Sequence, residues 1–199
     1  MKQLWKSLIQ PVQDYGSIIW TPCNEKGELR AQEEPLRQFS RRIKGLENQN
    51  YWQRLNRLRL LSSERRNERY RLFYVWKSMA GLVPSLNFIL KNDPRHGPKI
   101  IINNISGSIM RIQSLRERTI YISGAKIFNS MPRCIREFKG EFSQFKLLVD
   151  SYLADVPDYP LLDGYVSHNL DADLKMSNSI IVWNHNLKAE DWLSETSSA

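Results

Sequence analysis

The densest set of side chains that could do chemistry lies between residues 37 and 77. This stretch holds twelve Lys or Arg against three acids, whereas the whole 199-residue chain has a formal net charge of +8. Seven aromatic residues are interleaved with the cations: Phe39, Tyr51, Trp52, Tyr70, Phe73, Tyr74 and Trp76. This pattern is expected of a surface that binds a polyphosphate backbone. Solvated helix faces on a basic domain would give the same composition, so the residues alone leave both interpretations open.

If the stretch binds nucleic acid, we expect ten cations to contact phosphates: Arg37, Arg41, Arg42, Lys44, Arg54, Arg57, Arg65, Arg66, Arg69 and Lys77. Arg65, Arg66 and Arg69 occupy the first two turns of a predicted helix, close to the positive end of its dipole. Guanidinium groups form good hydrogen bonds to phosphate oxygens, and such contacts do not depend on the base sequence. The alternative is that these three arginines form internal ion pairs, Arg65 and Arg69 with carboxylates such as Glu33 or Glu34.

The chain contains no recognisable set of catalytic residues. Its three histidines, His96, His168 and His185, are far apart, and neither a Gly-rich phosphate loop nor a Gly-x-Ser-x-Gly motif is present. Asp171 and Asp173 could hold Mg²⁺, but a solvated acidic tail explains them better. We therefore expect no metal, no cofactor, no small-molecule substrate and no enzymatic activity of the chain by itself.

The composition predicts a folded chain inside the cell. Hydrophobic residues make up 41% of the sequence, which suffices for a core. Two cysteines form no disulfide framework, and neither a signal peptide nor a membrane-spanning run is recognisable. These features favour a cytoplasmic or nuclear location and no membrane partner.

The periodicity predicts a mainly α fold: a small helical domain over residues 1–155 with a short β hairpin or ribbon, and a loosely structured acidic tail over residues 156–199. The predicted helices span residues 3–20 (kinked or split at Pro11), 34–44, 51–58, 63–80, 123–131 and 141–154. A turn is predicted at 24–27, a C-cap at Gly45, and strands at 100–102 and 119–122.

The tail is the acidic counterpart of the basic stretch. Residues 150–199 hold nine acids and two Lys. The tail could compete with an anionic partner or simply add solubility. Its apolar cluster, Ile180 to Trp183, is predicted to dock onto the folded part.

An ordered set of motifs resembles the thumb and post-thumb region of jockey-like, LINE-type (non-LTR) retrotransposon reverse transcriptases. Residues 11–22 (PVQDYGSIIWTP) are similar to the family's P-x-L-[ED]-Y-x-S-x-x-W-x-P. Further likenesses follow in order at residues 41–46, 51–60, 61–77, 118–132 and 145–153. The resemblance covers roughly residues 4–155. Gln13, Phe128 and Met131 depart from the residues usual in the family.

This resemblance implies a fragment of an RNA-directed DNA polymerase that lacks the catalytic palm and its Y-x-D-D motif. The helices would bind RNA or an RNA–DNA duplex non-specifically, beside a polymerase palm and fingers absent from this sequence. Two alternatives stay open. The chain could be a host-adopted module that binds an acidic protein, or a truncated product without function, which predicts an exposed apolar patch.

Overall fold

A computed structural model of the chain describes residues 2–20, 26–95, 97–102, 119–158, 179–181 and 183–184. This part is mainly helical with a two-stranded antiparallel hairpin, which confirms the predicted class. Among the described helices, none has the length and apolar character needed to cross a membrane. The chain divides into two compact units: a first unit of Met1–Asn67 and Asp158–Asn178, and a second unit of Glu68–Pro157 and Ser179–Ala199.

The first unit begins with a helical run that breaks later than predicted. The run consists of α1 (Lys2–Leu4), a π-helical turn (Trp5–Ile9), α2 (Gln10–Asp14) and α3 (Ser17–Trp20). Pro11 lies in the first turn of α2, where proline is tolerated, and the chain is not split there. The break falls at Gly16, whose φ of 65° is a left-handed conformation that glycine adopts at little cost.

Helix α4 (Lys26–Arg41) begins earlier than the predicted residue 34. The predicted turn at 24–27 is therefore wrong at residues 26 and 27, and Pro35 lies inside the helix instead of in its first turn. Residues 28–34 are mostly strong helix formers, which explains why the helix extends so far towards the N-terminus. The predicted cap, Gly45, has a φ of 84° but lies in the irregular turn that follows the helix.

Helices α5 (Tyr51–Leu58) and α6 (Ser63–Met79) agree with the prediction. A reciprocal cap starts α5: the Asn50 side chain accepts from the Gln53 backbone at 2.9 Å, and the Gln53 side chain accepts from the Asn50 backbone at 3.1 Å. The core of the first unit is formed by large apolar side chains from the N-terminal run, α4, α5 and the connection after α5: Trp5, Leu36, Tyr51, Leu55 and Leu60.

The second unit contains the hairpin. Strand β1 (Leu90–Asp93) pairs antiparallel with β2 (Gly97–Ile100), with Leu90 opposite Ile100. The Asn129 side chain accepts from the Ile100 amide at 2.7 Å and donates to its carbonyl at 2.9 Å. The predicted strand at 100–102 is therefore confirmed only at residue 100.

The predicted strand at 119–122 is wrong, because residues 120–122 open helix α7 (Ile120–Ser130). Burial overrides β-propensity at this point. Ile122, Ile127 and Phe128 are buried on the helix, and a Cβ added to Gly124 would lie 2.6 Å from Val75 Cγ2. The helix can approach Val75 this closely only because residue 124 is glycine.

A short helix, α8 (Arg133–Arg136), leads to α9 (Phe142–Asp155), which agrees with the prediction. Phe145 of α9 stacks on Trp76, with ring centroids 4.8 Å apart. The predicted docking of the apolar cluster is confirmed for its described residues, because Ile180 and Trp183 are buried in this unit. The rest of the predicted tail beyond Asp158, including Asp171 and Asp173, lies outside the described residues.

Candidate functional site

The first two turns of α6 direct arginines into the interior of the protein. In the first unit, Arg66 Nε lies 3.0 Å from Asp14 Oδ1, and Arg66 Nη1 donates to the Leu61 carbonyl at 2.9 Å. Arg65 is fully buried, and its Nε lies 3.9 Å from Asp158 Oδ1. A guanidinium held by internal acceptors in this way has little freedom to meet an external phosphate.

Arg69 has a similar environment in the second unit. Its Nε and Nη2 donate to the two oxygens of Asp150, at 2.5 and 2.7 Å, and its guanidinium lies 4.4 Å from the Phe73 ring centroid. Two parallel bonds of this kind form the strongest type of Arg–carboxylate pair. The geometry of Arg65, Arg66 and Arg69 therefore favours the internal ion-pair alternative. Their ion-pair partners are Asp158, Asp14 and Asp150, and the charge of Arg66 also acts on Glu33.

Glu33 accepts hydrogen bonds inside the first unit. The Tyr51 hydroxyl donates to Glu33 Oε1, and the Ser63 backbone amide donates to Glu33 Oε2 at 2.8 Å. Burial raises the pKa of Glu33, and the hydrogen bonds from Tyr51 and Ser63 only partly oppose it. Burial, followed by the charge of Glu33, raises the pKa of Tyr51. This buried carboxyl joins α4, α5 and the start of α6.

A second group of predicted cations faces water in the same unit. Arg41, Arg42, Lys44 and Arg57 are exposed, and Arg37 is half-buried with its guanidinium 4.3 Å from the Tyr51 ring centroid. Within the described part of the chain, none of these five side chains pairs with a carboxylate. Together with Arg54 they form what we call the cationic surface.

Arg54 connects the cationic surface to the interior of the first unit. It is buried, its Nε donates to the Ser40 hydroxyl at 3.1 Å, and its Nη1 donates to the Gln49 carbonyl at 2.6 Å. Burial lowers the pKa of Arg54, and the charges of Arg41 and Arg37 lower it further. Three positive groups therefore lie close enough to repel one another.

Three further cations of the first unit, which are not among the ten expected phosphate contacts, form a similar group. Burial lowers the pKa of Lys2, and the charges of Lys6 and Arg59 add to this effect. Lys2 directly precedes the helix predicted from residue 3 and is four residues from Lys6, a spacing that could have indicated their proximity. Arg59 follows α5 in a left-handed conformation, with φ of 50°, and no local pattern predicts where it points.

The last predicted cation, Lys77, belongs to the second unit. Its Nζ lies 4.0 Å from the Phe142 ring centroid, and its side chain is half-buried. The cationic surface is defined within the first unit and therefore does not include Lys77.

The cationic surface can bind anions, but the described residues contain no group of three His, Cys, Asp or Glu side chains that could hold a metal ion. Comparisons of the chain with protein-family models, with curated proteins and with solved structures find no match.

Proposed function

We propose that the first unit binds RNA or an RNA–DNA duplex through phosphates, without reading base sequence, and that the cationic surface makes the contacts. The observation that carries this proposal is the density of cations that have no carboxylate partner among the described residues. The charges of Arg41 and Arg37 act on the buried Arg54, and Arg42, Lys44 and Arg57 lie within three residues of Arg41 or Arg54 along the chain. Like charges repel at such proximity, and a phosphate backbone would relieve the repulsion.

The aromatic residues beneath the surface support the same proposal. Arg37 lies over Tyr51 and also 5.7 Å from the Trp52 ring centroid. Stacking holds a guanidinium plane in place, so less side-chain entropy is lost when it binds a phosphate. Tyr51 is itself fixed by its hydrogen bond to the buried Glu33.

The resemblance to the thumb and post-thumb region of LINE-type reverse transcriptases agrees with this proposal. It suggests a fragment that would act beside a polymerase palm, inside the cell.

Because the sequence lacks the family's Y-x-D-D motif, we propose that the chain does not polymerise DNA by itself. A primer-extension assay with Mg²⁺ should give no template-directed product, and metal-dependent extension by the pure protein would contradict this part of the proposal.

Binding can be tested by fluorescence anisotropy with labelled RNA–DNA duplexes of two unrelated sequences. We expect equal affinity for both sequences. The logarithm of the binding constant should fall linearly with the logarithm of the salt concentration, with a slope of about −0.9 for each phosphate contact. Polyglutamate serves as the acidic-protein comparison. Tight binding to polyglutamate with none to either duplex would overturn the proposal in favour of an acidic protein partner.

A charge-matched control separates the cationic surface from general basicity. Lys91, Lys139 and Lys146 are exposed cations of the second unit. Replacing all three with Gln removes as much charge as replacing Arg41, Arg42 and Lys44 with Gln. Only the variant at Arg41, Arg42 and Lys44 should reduce the slope of the log binding constant against log salt concentration, by about three units. Equal losses in both variants would show that net charge, and not this surface, accounts for the binding.

A further inference from the structure

The N-terminal helical run of the first unit exposes an apolar stripe. Leu4, Leu8 and Val12 recur every four residues, and Tyr15 and Ile19 continue the exposed set. With Ile9, these six large apolar side chains are between 40% and 85% exposed, whereas their neighbour Trp5 is buried. One side of the run therefore packs on the unit, while another presents apolar side chains to water.

This stripe is too large to be incidental. It gathers six large exposed apolar side chains within 16 residues, and the remaining five in the described chain are scattered over residues 82–147. Four of the six, Leu8, Val12, Tyr15 and Ile19, are more than 60% exposed, whereas exposed apolar residues on a protein surface are normally scattered singly. Contiguous patches of this kind usually mark an interaction surface.

The backbone straightens the stripe. In an α-helix with 3.6 residues per turn, residues four apart drift around the axis. The π-helical turn at Trp5–Ile9 is wider, and the Gln10 amide donates to the Trp5 carbonyl five residues back. The extra residue per turn reduces this drift, so Leu4, Leu8 and Val12 form a nearly straight row.

A straight, evenly spaced row is complementary to a copy of itself. In an antiparallel pair related by a two-fold axis at Leu8, Leu8 of one copy meets Leu8 of the other, and each Leu4 meets a Val12. A two-fold interface requires this reciprocity, in which residue i contacts residue j and j contacts i. The apolar row meets this requirement, because Leu4 and Val12 are equally far from Leu8 along the run.

The charges favour the antiparallel arrangement. Lys2 and Lys6 lie at the N-terminal end of the run, and the single acid of residues 2–20, Asp14, is held by Arg66. A parallel pair would bring the lysines of two copies together. An antiparallel pair places them at opposite ends of the interface, where they do not repel one another.

We propose that the apolar row Leu4–Leu8–Val12 is a self-association surface, on which a second copy of this chain packs in antiparallel orientation about Leu8. Sedimentation equilibrium of the full chain should show a reversible dimer. Leu8→Glu should weaken it by about 100-fold or more, because two carboxylates would meet at the axis and like charges cost several kcal/mol there. Leu147→Glu, a change at an exposed leucine of the second unit, should leave the dimer unchanged.

Cross-linking tests the register. With both natural cysteines replaced by Ser, Leu8→Cys should oxidise to a covalent dimer, because disulfides need Cβ atoms about 3.5–4.5 Å apart. Val12→Cys should not, because the two copies of residue 12 lie on opposite sides of the axis.

Efficient cross-linking of Val12→Cys with none of Leu8→Cys would overturn the proposed register. A chain that remains monomeric at all concentrations would overturn the proposal as a whole. So would a monomer that binds anionic lipid vesicles through Leu8 and Val12, because the occupant of the stripe would then be a membrane.

Discussion

Two groups of arginines in this protein show how the same residue type takes different positions. At the end of α4 and along α5, Arg37, Arg41, Arg42 and Arg57 have no carboxylate partner within the described chain. Along the first turns of α6, Arg66 and Arg69 lie against Asp14 and Asp150, and Arg65 lies near Asp158. In these two groups, the arginines of the interior are the ones to which the fold supplies an acid, and the arginines without one can meet an external anion.

The largest expected effect comes from removing a buried guanidinium. Arg66→Gln should lower the free energy of unfolding by about 3–5 kcal/mol, because the Asp14 carboxylate, whose side chain is only 11% exposed, loses its charged partner. Urea unfolding followed by circular dichroism measures the loss. A change at Arg133, whose pair with Glu137 is largely exposed, is the control and should cost less than about 0.5 kcal/mol. Similar losses for the two variants would remove the distinction between interior and exposed arginines.

A double-mutant cycle sharpens the comparison in the second unit. Combining Arg69→Gln with Asp150→Asn should give a coupling energy of about 1–2 kcal/mol. We expect a smaller value than the effect at Arg66 because the Asp150 side chain is 37% exposed, and water screens the pair. Additive effects of the two substitutions would show that this ion pair contributes nothing to stability.

The buried Glu33 predicts how stability depends on pH. Its pKa in the folded chain lies above the ordinary value of 4.5, so the folded state holds this proton more tightly than the unfolded state. The stabilisation is fully present below the unfolded pKa and is lost as pH rises through the folded pKa. Glu33→Gln should remove this loss, which for one proton is at most about 1.4 kcal/mol per pH unit.

Urea unfolding from below pH 4.5 upward, on the wild type and on Glu33→Gln, tests this expectation. The variant should gain stability relative to the wild type as pH rises. Glu34→Gln, at the exposed neighbouring position, is the matched control and should run parallel to the wild type. A Glu33→Gln curve that also runs parallel would mean that Glu33 titrates alike in the folded and unfolded chain.

Local sequence signals predicted where helices such as α6 begin and end. They did not predict the contacts that the helices make with other parts of the chain. The bounds of α6 were predicted from the hydroxyl and acidic residues at its start, Ser63 and Glu64, and from Gly81 after its end. The structure confirms these bounds. The partners of its arginines could not be predicted, because Asp14 and Asp158 are 52 and 93 residues away from Arg66 and Arg65 in sequence. No short-range pattern encodes such a pairing, so the exposed and the interior arginines look alike in the sequence.

The same limit explains the error at residues 119–122. A β-branched and aromatic run favours a strand locally, but burial of Ile122 and the close approach of Gly124 to Val75 favour a helix. Composition predicted a concentration of cations between residues 37 and 77, but it did not separate those of the cationic surface from the interior arginines. The contacts of Arg54 were not predictable either, because the Ser40 and Gln49 acceptors meet its side chain only in the folded chain.

The most direct test of the account compares one change from each group in a single assay. The exposed change is the triple variant Arg41→Gln, Arg42→Gln, Lys44→Gln, and the interior change is Arg69→Gln. Each protein is melted, and its binding to an RNA–DNA duplex is titrated with salt below the lower melting temperature. We expect the triple variant to keep its melting temperature and lose about three units of salt slope, whereas Arg69→Gln melts lower and keeps the full slope. A triple variant with an unchanged slope, beside an Arg69→Gln protein that loses slope, would contradict the account.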